Sequence, residues 1–138
     1  MLGELQRLQL ARSQALLTDA VDALAHARAS TAAGRDALAQ VERDFDIMLA
    51  RASFDPEAMR RAGMGILIAE DVLAGHAATE AQAAANEGAA RHEWHSDRQR
   101  SDVIDARRCR LTRKLAQVTE DKAAIDLVSL AATSRKMR

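Results

Sequence analysis

The sequence predicts an all-α protein, a long antiparallel two-helix coiled-coil hairpin with a short extra helix at the tip. Alanine, the best helix former, accounts for 31 of the 138 residues, and the chain has one proline. Aromatic residues make up only 2% of the chain and tyrosine is absent, so a wide globular core is not expected. Apolar residues instead recur at alternating spacings of three and four, which is typical of a coiled coil.

The first predicted helix covers about residues 2–52 and carries one apolar stripe. The stripe has two lines, one mostly of large residues and one mostly of small residues, which suits a partner helix that approaches closely. The first line contains Leu10, Leu17, Leu24, Thr31, Leu38, Phe45 and Ala52, and the second contains Ser13, Ala20, Ala27, Gly34, Val41 and Met48.

A helix break and a new helix start are predicted around the only proline. Asp55 can cap the new helix, Pro56 fits its first turn, and Glu57 suits the positive helix end. We predict a tip helix over about 56–74, closed by Gly75. This segment holds the densest apolar patch of the chain, composed of Met59, Met64, Ile66, Leu67, Ile68, Val72 and Leu73.

A second long helix is predicted over about 78–134, and it also carries a heptad line. The line runs through Asp97, Ile104, Leu111, Val118, Ile125 and Ala132. Neither stripe is wide enough to be stable alone, so we expect 78–134 to fold back against 2–52 within one elongated domain, 1–138. In this arrangement Leu17, Leu24 and Leu38 would face Ile104, Leu111 and Val118.

The net charge is zero, but residues 98–138 carry eleven basic and five acidic side chains. The basic cluster consists of Arg98, Arg100, Arg107, Arg108, Arg110, Arg113 and Lys114. Two interpretations stay open: a solvated face paired with acidic residues of the first helix, or a binding surface for an acidic partner. Nucleic acid is not expected as a partner, because aromatic stacking residues are missing.

No constellation of residues predicts catalysis, a cofactor or a metal. The glycines form no phosphate-binding loop. His92 and His95 have a spacing that can chelate zinc, but a solvated helix face is the favoured interpretation. Cys109 lies among arginines, and a passive thiol is favoured over a reactive one. A single cysteine and the lack of a long apolar run favour a soluble protein of the cytoplasm without membrane insertion.

Two short motifs accompany the two-helix pattern and the break in mid-chain. The first helix begins with Leu5, Arg7, Leu8 and Arg12, and the C-terminal part contains Glu120-Asp121-Lys122 followed by Asp126. In these features the chain resembles the central stalk family of type III secretion systems, the small coiled-coil proteins called YscO, HrpO or FliJ.

This resemblance implies a non-catalytic monomer in the cytoplasm, peripheral to the inner-membrane secretion apparatus. Its paired termini would insert into the hexameric secretion ATPase, and its far end would face the cytoplasmic domain of the export gate. Family members also handle export chaperones. The basic cluster is then the expected ATPase-binding site and the apolar patch the expected gate-binding site. The alternatives are an alanine-rich, phasin-like protein that coats a surface, or a coiled-coil chaperone.

Overall fold

A computed structural model describes residues 2–137 and contains two long helices. Helix α1 spans Leu2–Leu49 and helix α2 spans Pro56–Lys136. The described residues form no strand. The prediction of an all-α chain with two long helices is therefore confirmed.

The start of α2 has the cap that the sequence predicts. The Asp55 carboxylate accepts hydrogen bonds from the backbone N–H groups of Glu57, at 3.0 Å, and Ala58, at 3.3 Å. Pro56 is the first helical residue, where its missing N–H costs no hydrogen bond. Helix α1 ends at Leu49, so Ala52 lies outside it and is exposed, and the prediction that Ala52 belongs to the stripe is wrong.

The separate tip helix over 56–74 is not present, because α2 continues without a break from Pro56 to Lys136. Gly75 lies inside this helix rather than closing it. A helical glycine costs about 1 kcal/mol relative to alanine, and the alanine-rich sequence around it favours the helix by more than that. Leu73 and His76, on either side of Gly75, also lie against Gly34 of α1, which supports their helical geometry.

Residues Ala11–His95 form one compact unit, in which later residues of α2 contact earlier residues of α1. Val41 Cγ1 lies 3.6 Å from the position that a β-carbon on Gly65 would take. Gly34 faces Leu73, and nearer the chain start Arg28 approaches Glu80, with 3.8 Å between Nε and Oε1.

These contacts correct the predicted pairing of the two helices. The segment 56–74, expected to lie beyond the end of the first helix, lies beside its second half. The physical reason is the short connection between Leu49 and Pro56, which returns the chain directly alongside α1.

The predicted stripe of α1 forms the buried side of that helix. From Leu10 to Met48, every residue of the two predicted lines is buried or half-buried. The buried apolar residues are Leu24 and Ala27, at 8% and 6% exposure, and the buried polar residues of the stripe are Ser13 and Thr31, at 3% and 1%. The Thr31 hydroxyl donates a hydrogen bond of 3.1 Å to the Ala27 carbonyl oxygen, so its polar group is satisfied inside the core.

The second compact unit contains the residues up to Leu10 and those from Ser96 onward. Here Gln9 of α1 contacts Asp97 of α2, and Gly3 lies beside the Arg108 guanidinium. Every residue from Asp105 to Met137 is exposed. The expected burial of Leu111 and Val118 is therefore wrong, because α2 extends past α1 and these side chains are 56% and 53% exposed.

Candidate partner-binding surfaces

All seven residues of the basic cluster are exposed. Arg100, Arg107 and Lys114 are spaced by seven residues, so they form one line along the side of the helix, next to the apolar heptad line. Arg110 and Arg113 occupy the outer side, away from Leu111 and Val118. The cluster thus has a part beside the apolar line and a part that faces away from it.

Three arginines of the basic cluster have no acidic partner in the part of the chain that the structure describes. Arg100 pairs with Asp97 of its own helix, with 3.7 Å between Nη1 and Oδ1. Within residues 2–137, Arg107, Arg110 and Arg113 take part in no ion pair. Their guanidinium groups can therefore bind carboxylates or phosphates of another molecule in the bidentate geometry that arginine favours.

A buried polar contact lies close to the basic cluster. Asp97 is 3% exposed, and one of its carboxylate oxygens accepts a hydrogen bond of 3.1 Å from the Gln9 side chain. A polar residue in a coiled-coil stripe lowers stability but favours the one alignment in which it finds a partner. The heptad pattern places Asp97 in the stripe, whereas Gln9 becomes recognisable as its partner only once the alignment of the helices is known.

The predicted apolar patch of 59–73 is divided between two sides of α2. Met59, Ile66 and Leu73 are half-buried on the side that faces α1. The other four side chains lie on the outer side and are at least half exposed: Met64 at 53%, Leu67 at 58%, Ile68 at 60% and Val72 at 50%. We call these four residues the outer apolar patch. It is a candidate docking surface, since clustered exposed apolar groups are uncommon on proteins without partners.

Additional exposed apolar side chains lie around the connection between the helices. Phe54 is 75% exposed and Ile47 is 59% exposed. Neither residue stands out in the sequence pattern as a surface residue. The proline break next to Phe54 was the available signal, because an aromatic residue in a short connection has few neighbours to cover it.

The two histidines and the cysteine that could carry chemistry, His92, His95 and Cys109, do not come together in one site. His92 and His95 are both exposed, and the His95 ring lies beside the Trp94 ring, with 4.8 Å between centroids. Cys109 is also exposed, in a shallow depression that it shares with Arg108 and Asp105. In the described part of the chain, no three His, Cys, Asp or Glu residues are arranged to hold a metal ion.

No protein-family model, curated protein or solved structure matches the chain. Between residues 2 and 137, neither helix contains a stretch with the length and hydropathy that a membrane span requires.

Proposed function

We propose that this chain is a non-catalytic stalk of a type III secretion apparatus, built as an antiparallel coiled-coil hairpin. In this proposal it links the hexameric secretion ATPase to the export gate, stimulates the ATPase and escorts export chaperones. The observation that supports the proposal best is the presence of two exposed surfaces of different chemistry on a two-helix scaffold. One is the basic cluster, and the other is the outer apolar patch.

The basic cluster suits the ATPase as its partner. Exposed arginines such as Arg110 and Arg113 steer association toward an acidic surface and form charge-assisted hydrogen bonds with its carboxylates. Such binding is screened within roughly 8 Å at physiological salt, so it should weaken strongly as the salt concentration rises.

Reversing the charge of Arg110 and Arg113 (R110E/R113E) should weaken binding to the secretion ATPase. We expect about a tenfold higher Kd and a loss of ATPase stimulation, because each exposed charge pair contributes up to about 1 kcal/mol and reversal adds repulsion. Both side chains are exposed, so the helical content should not change. The measurements are ATPase binding at several salt concentrations and the ATP hydrolysis rate.

A matched control reverses two exposed arginines outside the cluster, Arg35 and Arg51 (R35E/R51E). This variant has the same change in net charge and should bind the ATPase as the wild type does. If R110E/R113E also binds and stimulates normally, the cluster is only a solvated helix face and the ATPase contact must be abandoned.

The outer apolar patch suits the cytoplasmic domain of the export gate. Its four side chains are apolar enough to favour burial, while Glu70 and Asp71 beside them favour a protein partner over an anionic lipid surface.

Replacing Leu67 and Ile68 by glutamine (L67Q/I68Q) should stop secretion while the chain stays folded and still binds the ATPase. Glutamine is a good helix former, and the replaced side chains are exposed in the folded chain. Secretion in cells, the thermal melting temperature and ATPase binding are measured together. Normal secretion by this variant would exclude the outer apolar patch as the gate contact.

The matched control for this experiment is I66Q/L73Q, which changes neighbouring residues on the side facing α1. Because Ile66 and Leu73 are half-buried, this variant should melt at a lower temperature. If L67Q/I68Q lowers the melting temperature as much as the control does, the outer patch serves folding and not docking.

The phasin-like alternative has one specific observation in its favour. Exposed large apolar side chains continue along the C-terminal part of α2, including Leu115, Val128 and Leu130 at 66%, 70% and 66% exposure. A surface-coating protein would bury such residues in a lipid or granule surface. Strong binding of the full chain to vesicles of neutral and anionic phospholipid would favour this alternative over the stalk.

A further inference from the structure

The apolar line that α2 presents to α1 continues on the same side of the helix after Ile104, the last half-buried residue. It is formed by residues at spacings of three and four: Leu111, Leu115, Val118 and Ile125, interrupted by Lys122. All four apolar residues are more than half exposed. The pattern is thus that of the buried stripe, which is suited to packing against another helix.

Charges in this exposed part of α2 follow a fixed order along the chain. Residues 107–114 contain five basic side chains and no acidic one, and residues 120–126 contain three acidic side chains and one basic one. Two copies aligned in parallel would place the basic segments side by side. Two copies in opposite directions would place the basic segment of each beside the acidic segment of the other.

We propose that a second copy of this chain binds here, with the C-terminal parts of the two α2 helices antiparallel and centred between Leu115 and Val118. Leu115 of each copy then packs against Val118 of the other, and Leu111 against the Lys122 stem. The overlap from Arg108 to Ile125 has a length of about 27 Å at the usual helical rise. The interface is isologous, as expected for a twofold dimer.

The side chains flanking this interface have complementary charges. In the antiparallel arrangement Lys114 lies across from Asp121 of the second copy, and the twofold axis repeats the pair. Arg108 and Lys122 occupy positions in the line itself. Their aliphatic stems cover the neighbouring apolar groups while their charges reach water. Charged residues in an apolar line lower the stability of the dimer, but they favour the one alignment that accommodates them.

This inference does not depend on the proposed function. It differs from the monomer that the resemblance to the stalk family implies. Arg110 and Arg113 lie on the outer side of α2 and stay accessible in the dimer, so ATPase binding and dimerisation can be tested with different variants.

Sedimentation equilibrium of the full chain tests the dimer. At concentrations up to about 100 µM, a range that includes micromolar Kd values, we expect the mass to rise to that of two chains. The variant L115D/V118D should keep the mass of one chain with unchanged helical content, while L67D/I68D, which alters exposed residues elsewhere, should dimerise normally. A wild-type chain that stays monomeric over this range would overturn the proposal.

A charge exchange tests which residues meet across the interface. K114E and D121K should each raise the dimer Kd about tenfold, since two symmetry-related pairs change from attraction to repulsion. The double variant K114E/D121K should recover the wild-type Kd. If the double variant dimerises as weakly as the two single variants, this antiparallel alignment is wrong.

Disulfide trapping determines the direction of the helices. In a C109S background, Thr112 of one copy lies across from Thr119 of the other in the antiparallel arrangement. An equal mixture of T112C and T119C chains should therefore form a crosslinked dimer under mild oxidation, and neither chain should do so alone. Crosslinking of each variant with itself would indicate a parallel dimer and overturn the proposal.

Discussion

Replacing Leu24 by aspartate is expected to lower the free energy of unfolding by about 3–5 kcal/mol. Truncation of a buried leucine costs about 2–5 kcal/mol, and a carboxylate in its place must also be desolvated without a partner. Leu24 is one of the most enclosed apolar side chains in the described structure, at 8% exposure. Chemical denaturation followed by circular dichroism measures the change.

The matched control is Leu111→Asp, the same substitution at a residue that occupies a heptad line but is 56% exposed. In dilute solution it should change the unfolding free energy by less than about 0.5 kcal/mol. If L111D destabilises the chain as much as L24D, then Leu111 is buried and the two helices pair in a different alignment.

Replacing Gly34 by leucine should destabilise the chain by about 1–3 kcal/mol, as overpacking of a filled core does. A β-carbon at this position would lie 3.3 Å from both His76 Cδ2 and Leu73 Cδ1, so a leucine side chain would have to displace these two neighbours. The absence of a side chain at Gly34 therefore permits the close approach of α1 and α2. The measurement is the thermal or chemical unfolding midpoint.

Gly88→Leu is the matched control, because a β-carbon on Gly88 would meet no atom within 4 Å. This variant should gain up to about 1 kcal/mol from the higher helix propensity of leucine. The two glycine substitutions are thus expected to change the stability of the chain in opposite directions. A stabilising effect of G34L would mean that Gly34 does not lie in a close contact between the helices.

Several features of the fold could be predicted because they depend on residues close together in the chain. The cap formed by Asp55 and the helix start at Pro56 involve neighbours within three residues. The buried stripe of α1 depends only on the geometry of one helix, which brings residues three and four apart to one side. For the candidate surfaces, composition alone located the basic cluster and the apolar segment.

The division of the apolar segment into a half-buried side and an exposed side could not be predicted in the same way. Ile66 and Leu67 are adjacent and similar in hydrophobicity, yet only Ile66 lies on the side that faces α1. Which residues of α2 face α1 depends on how the two helices pack together, and not on the hydrophobicity of each residue. For the same reason the tip helix was wrongly predicted, since Gly75 ends a helix only where no tertiary packing supports the residues around it.

The helical class, the stripe of α1 and the place where the chain turns can all be predicted from the sequence, because local propensity and periodicity are properties of single segments. Which part of α2 pairs with α1 depends instead on contacts between residues that are far apart in the chain. A heptad pattern can be shifted by seven residues and still align apolar positions, so periodicity cannot choose among the alignments. Specific contacts choose among them, such as Gly34 with Leu73 and Gln9 with Asp97, and they leave the line of Leu111 and Val118 exposed.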